Sequence, residues 1–323
     1  MTALIDRPEA DTAPAARPRR FQVSQYGLAG ALFLLCVVAT FSSDAFLTKD
    51  NILNVLTQSA VIGILTIGMT FVILTGGIDL SVGSGIAATS VYLGLQQDSG
   101  GFVMLAAALF GGVLIGFVNG LAVTWGRIVP FIATLAMFSS AHGLALLMSD
   151  STPIDISNGF ITDLGTKRVF GVPMPVYVFA LVAVVAWTVL NRTAFGRHVV
   201  AVGGNAEAAR ASGIRVERVL LAVYVISGLC VGIGALLVTG RLGSASPVIG
   251  SGYELDAIAA AVIGGAALSG GKGGIGGSVI GVLLFQVIFN LFNLLDVNTN
   301  MQGVLKGLII LAAVVLQRRT RKV

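Results

Sequence analysis

Charge is scarce in this 323-residue chain: 11% of its residues are Asp, Glu, Lys or Arg, where a soluble domain carries about 25%. That shortage excludes a water-facing surface large enough for a soluble fold of this size. Cysteine is nearly absent as well. Cys36 and Cys230 both lie inside apolar stretches, where they read as small buried hydrophobes, so no disulfide framework, redox pair or zinc centre is indicated.

What fills the chain instead is apolar: 55% of residues are hydrophobic and the mean hydropathy is +0.92. At roughly 20 residues per spanning helix, about ten membrane spans fit, which leaves too little chain for a fused catalytic domain. The expected fold is an all-α polytopic membrane protein, some of its helices broken or re-entrant, and not an enzyme.

Residues 1–22 are polar and rich in Ala, Pro and Arg, the composition of a flexible tail. Spans are read at 23–41, 52–75, 82–96, 101–125, 128–148, 173–190, 219–239, 255–271, 275–295 and 301–317, within a membrane domain of 23–317, and 318–323 form a short basic tail. The first run is too long, and followed by too many others, for a cleaved leader. The third and eighth spans are short for a full crossing and adjoin glycine breaks, so half-helices are possible there.

The net charge of +5 could suggest nucleic acid, but the basic residues cluster at the ends of apolar segments, as topology requires. With both termini in the cytoplasm, 15 of the 20 basic residues fall inside. Acids such as Asp44, Asp98 and Asp155 hold the outer connections. An even number of spans survives this check, and no nucleic-acid partner is expected. Two connections exceed a turn: an extracytoplasmic one at 149–172 and a cytoplasmic one at 191–218.

Within the inner connection, Asn205-Ala206-Glu207-Ala208-Ala209-Arg210 precedes Ser212-Gly213. Glu207 suits a helix start, the alanines form a short rod, and Gly213 can end it with a positive φ. Such a rod between two spans can pass force from a soluble machine to the membrane helices, although an ordinary solvated loop has the same composition. A phosphate-cradling loop is absent at Lys272, because Ala266 stands at the first glycine position and Gly273 where the hydroxyl residue belongs. The run there reads as a tight inner turn.

Polar residues inside apolar runs are the other candidates. Asp79 follows the break at Gly76-Gly77 and with Ser81 can cap the next helix or line a solute route. Gln286, Asn290 and Asn293 share one helical face at i, i+4 and i+7, and Asn54 and Gln58 repeat the i, i+4 spacing. Amides suit sugar hydroxyls and equally join helices in lipid; Asn119 is a weaker member of this set. Lys306, deep in the last span, needs a carboxylate or an aqueous cavity, with Asp256 and Asp79 as candidates. Tyr253, Glu254 and Asp256 suit the start of the eighth span. His142 reads as a hydrogen-bonded packing residue. A faint echo between 76–83 and 273–280 is too short to establish a duplication.

The run Glu207-Ala208-Ala209 with Gly213 resembles the coupling motif of membrane subunits of ATP-binding-cassette importers. Thr75-Gly76-Gly77-Ile78-Asp79-Leu80-Ser81-Val82-Gly83-Ser84 resembles the ribose-type sugar permeases of that family, as do Gly252 to Ala260 and the glycines around 264–273. The likeness runs from about residue 45 to the end. It implies a homodimer or related heterodimer in the bacterial cytoplasmic (inner) membrane, a cytoplasmic ATPase, a periplasmic sugar-binding protein and a monosaccharide carried by alternating access. In that picture Glu207, Ala208, Ala209 and Gly213 dock in the ATPase, with Asn205 and Arg210 as polar neighbours. Asp79, Ser81, Asn119, Gln286, Asn290 and Asn293 are then the expected pathway residues. The competing class is an ion-coupled secondary transporter, with Asp79, Asp256 and Lys306 as coupling groups. A passive channel is disfavoured, since no charged ring or filter segment appears.

Overall fold

The structure is a computed structural model that describes residues 21–319. The expected tails therefore lie outside the described residues except at their inner edges. Residues 21 and 22 already belong to the first helix, and 318 and 319 to the last.

Each of the ten apolar stretches contains one helix: α1 (Phe21–Ser42), α2 (Lys49–Leu74), α3 (Val82–Gly94), α4 (Gly101–Thr124), α5 (Pro130–Met148), α7 (Met174–Arg192), α10 (Val216–Leu242), α11 (Tyr253–Ile263), α12 (Ile275–Leu294) and α13 (Thr299–Arg319). The outer connection holds α6 (Gly159–Thr166), and the inner one holds α8 (Ala194–Gly204) and α9 (Ala206–Ala211). Six of the described helices, α2, α4, α5, α7, α10 and α12, are long and apolar enough to cross a membrane.

α3 and α11 have 13 and 11 residues. At 1.5 Å per residue these span only about 20 Å and 17 Å of a core about 30 Å thick, so both are half-helices. The eighth apolar stretch, read as continuous to 271, is helical only to Ile263. It turns out of the helix at Gly264 and Gly265, the latter with φ +91°.

α2 lies at the centre. Of its apolar window 89% is buried, against 22% for α5 and α7, so α2 is wrapped by protein while the others face outward. It touches α7, α10, α11 and α12. α4 and α10 make the most extensive helix pair, and glycines set their spacing. A Cβ on Gly112 would collide with the Gly228 carbonyl, and one on Gly116 with the Tyr224 carbonyl, the close approach that small residues permit in lipid. Hydroxyl pairs cross the interior, Ser90 with Thr239 at 2.6 Å and Thr70 with Ser278 at 2.7 Å.

The outer connection is more ordered than a loop. Asn158 caps α6, its side-chain oxygen accepting from the Phe160 and Ile161 amides. Gly165 of α6 lies against the backbone of Gly240 and Arg241, which seats this helix on the C-terminal end of α10. Two short antiparallel pairs complete the cap: β1 (Ile154–Asp155) with β4 (Ser244–Ala245), and β2 (Arg168–Val169) with β3 (Val172–Pro173). His142, expected to pack, is exposed on α5. The reason is that α5 buries only a thin stripe of Ala133, Thr134, Ala141 and Ala145.

Candidate functional site: a polar chamber and an exposed helix

The expected pathway residues separate into three places. Asp79, Ser81 and Asn119 come together, each 1% exposed. One carboxylate oxygen of Asp79 accepts from the Ser81 amide at 3.0 Å and the Ser81 hydroxyl at 2.6 Å. The other accepts from the Ser227 hydroxyl at 2.8 Å. The Asn119 amide donates to Ser81 Oγ at 2.8 Å and approaches Asp79 at 3.5 Å. This knot ties the segment before α3 to α4 and α10 and faces no open space. Ser81 precedes α3 without its own side chain bonding the helix amides. Ser227 was not singled out from the sequence, although it is one of few hydroxyl residues inside the apolar run of α10.

Asn290 sits apart. It exchanges two side-chain hydrogen bonds with Asn51 of α2, at 3.0 and 2.7 Å, a reciprocal amide pair that fastens α12 to α2. The amide face of α12 is thus divided, because Gln286 and Asn293 turn instead into a cavity of about 360 Å³.

That cavity is the third place, walled by Gln58, Arg241, Asp256, Gln286, Asn293, Gln302 and Lys306, with Tyr253, Phe285 and Phe289 as its aromatic surfaces. Lys306 Nζ lies 2.6 Å from Asp256 Oδ1 and 5.5 Å from the centre of the Phe289 ring. The lysine therefore takes Asp256 as partner; Asp79 is sealed in its own knot. Gln58 donates to Asn54 at 3.0 Å and Gln302 to Asn293 at 2.9 Å. Lys306 is seven residues into α13 and Gln58 nine into α2, about 10 and 14 Å along the helices, at the end of the bundle that the charge rule assigns to the outside. Amides, an ion pair and aromatic faces together offer donors, acceptors and flat apolar surface to an uncharged polyhydroxylated solute.

At the opposite end, α8 and α9 form an exposed arm. Thr193 caps α8 by accepting from the Gly196 amide. Asn205 ends α8 and caps α9, its side-chain oxygen accepting from the Glu207 and Ala208 amides at 3.0 Å each. α9 ends as its glycine foretells: Gly213 has φ +84°, its amide bonds the Arg210 carbonyl, and the Ile214 amide bonds the Ala209 carbonyl. That paired arrangement is a Schellman stop. Ala209 is the buried anchor, while Glu207, Ala208 and Arg210 face outward. Arg210 also bonds Glu217 at 2.7 Å, tying α9 to the first turn of α10. Among the described residues no group of three or more His, Cys, Asp or Glu could hold a metal ion.

The chain has close relatives. It is 40% identical over 305 residues to the ribose import permease protein RbsC of Escherichia coli, covering 92% of this chain and 94% of that one. It is 44% identical over 299 residues to RbsC of Bacillus subtilis, covering 89% and 91%. Against the D-allose transport system permease protein AlsC of E. coli the identity is 38% over 301 residues, covering 91% and 92%. No solved structure matches the chain. Residues 51–314 match the family described as the permease component of the branched-chain amino acid transport system; with that match over most of its length, this chain belongs to that family of transport permeases.

Proposed function

We propose that this protein is the multi-pass permease of an ATP-binding-cassette importer in the bacterial cytoplasmic membrane, carrying ribose or a closely similar monosaccharide. The observation that carries the reading is α9: a capped, exposed helix joined through α8 to the span α7 and directly to the span α10, for which a secondary transporter has no use. Its outward Glu207, Ala208 and Arg210 are the surface offered to a cytoplasmic ATPase. A periplasmic sugar-binding protein delivers solute at the other end.

Ten crossings with both termini inside agree with the charge distribution, α3 and α11 completing their crossings through non-helical segments. The solute enters by the chamber of Gln58, Gln286, Asn293 and the Asp256–Lys306 pair. Polar walls at membrane depth need a wet or polar neighbour, and the second permease copy implied by the family resemblance would face this one across the chamber. The Asp79 knot holds the inner break of α2 and α3 and only indirectly serves the route.

The test is reconstitution in vesicles with the cognate ATPase and binding protein. Uptake of labelled ribose should require ATP, with unlabelled allose competing more weakly than unlabelled ribose. Glu207→Lys should abolish co-purification of the ATPase while the permease stays monodisperse. Uphill ribose uptake by the permease alone, driven by a proton or sodium gradient, would refute the proposal.

A further inference from the structure

We propose that Gly203 is a positioning residue that transmits movement of the inner arm to both helix breaks, the one between α2 and α3 and the one between α11 and α12. The inference rests on the importer reading, in which a motor works α9, and adds where that motion enters the membrane domain.

The two breaks are joined before α8 reaches them. α2 ends at Leu74, and the chain turns at Gly76 with φ +81°. The connection from α11 to α12 closes on itself through the Ala267 amide bonding the Lys272 carbonyl at 2.8 Å, with Gly270 and Gly271 at φ +81° and +72°. From that turn the Gly271 amide donates to the Leu74 carbonyl at 2.9 Å. One hydrogen bond therefore links segments that flank two different half-helices.

The last turn of α8 lies directly on this bond. A Cβ on Gly203 would run into the Leu74 carbonyl oxygen and come within 2.6 Å of the Gly271 amide nitrogen. A Cβ on Gly270 would stand 2.6 Å from the Gly203 carbonyl and 3.0 Å from the Gly76 amide. Three backbones thus meet without side chains between them, and Asn205, the cap of α9, is two residues away. Packed backbone has no slack to absorb displacement, and close-packed contacts shift as units. Motion of α9 that tilts α8 must then move Leu74 and Gly271 together. Gly204 supplies the control, since a Cβ there would meet nothing within 4 Å.

The experiment compares Gly203→Ala with Gly204→Ala in the complete complex of permease, ATPase and binding protein. Both should retain the ATPase, because α9 is untouched, and Gly204→Ala should match the unmodified complex in ribose moved per ATP. Gly203→Ala should keep hydrolysis within about twofold while ribose moved per ATP falls about tenfold. Hydrolysis and transport declining in proportion, or an unchanged ratio, would overturn the role.

If Gly203→Ala does not assemble, labelling of Lys272→Cys decides, with Cys36→Ser and Cys230→Ala in the background. Its modification rate should change about fivefold between nucleotide-free and vanadate-trapped complex, beside a constant rate at Leu181→Cys on α7; an unchanged rate at Lys272→Cys would overturn the role. An unmodified complex that does not hydrolyse ATP in response to ribose-loaded binding protein would instead refute the importer reading, and this role with it.

Discussion

Around Asp79, three side chains and one backbone amide compose a setting in which a carboxylate can stay inside a membrane protein. Donors from Ser81, Ser227 and Asn119 replace the water it has left. Removing the acceptor strands those donors, and a buried donor without a partner costs about 1–3 kcal/mol. Asp79→Ala should therefore lower the thermal midpoint of the purified permease clearly, Asp79→Asn less, and Ser227→Ala least. A midpoint unchanged in Asp79→Ala together with lost uptake would instead put this carboxylate on the route of the solute. The acid and its neighbour Ser81 are legible in the sequence beside the break. Ser227 lies 148 positions away, and only the packing of α10 against that break brings it in.

At the scale of elements, α9 is the one read most fully in advance, because everything that makes it is local. Glu207 in its first turn and Gly213 at its stop are both legible in the sequence, and the structure adds Asn205 as its cap. A helix of six residues has little stability of its own, so its cap matters disproportionately. Asn205→Ala, removing a cap worth about 1 kcal/mol, should weaken ATPase co-purification while leaving the thermal midpoint of the permease nearly unchanged. Equal retention of the ATPase by both forms would show that the cap is dispensable. α6 was not read as a helix, since Asn158-Gly159 and the residues after them have the composition of a loop. Its seat is supplied by α10, through the contact of Gly165 with Gly240 and Arg241.

For the molecule as a whole, the outer chamber and the inner arm stand at opposite ends of α2 and α10, the two most buried of the long helices. α13 packs mainly on α11 and presents Met301, Val304 and Leu308 outward beside the chamber, leaving the face where a second copy would close it. With the native cysteines replaced, Gln302→Cys should yield a disulfide-linked permease dimer under mild oxidation, and Leu181→Cys on α7 should not. Dimers formed through Leu181→Cys alone would move the interface to α7.

Taken by itself, the sequence determined the apolar helices, the two short ones beside glycine breaks and the short alanine rod with its glycine stop. These follow from apolar run length and from glycines that break or end helices, signals that act within a turn or two of where they stand. The tertiary structure alone decided which polar groups meet: Lys306 with Asp256 and not Asp79, Asn290 with Asn51 across 239 positions, and Asn293 with Gln302 of α13. Those pairings depend on how each helix is rotated against its neighbours, and that rotation is fixed by close packing over the whole bundle.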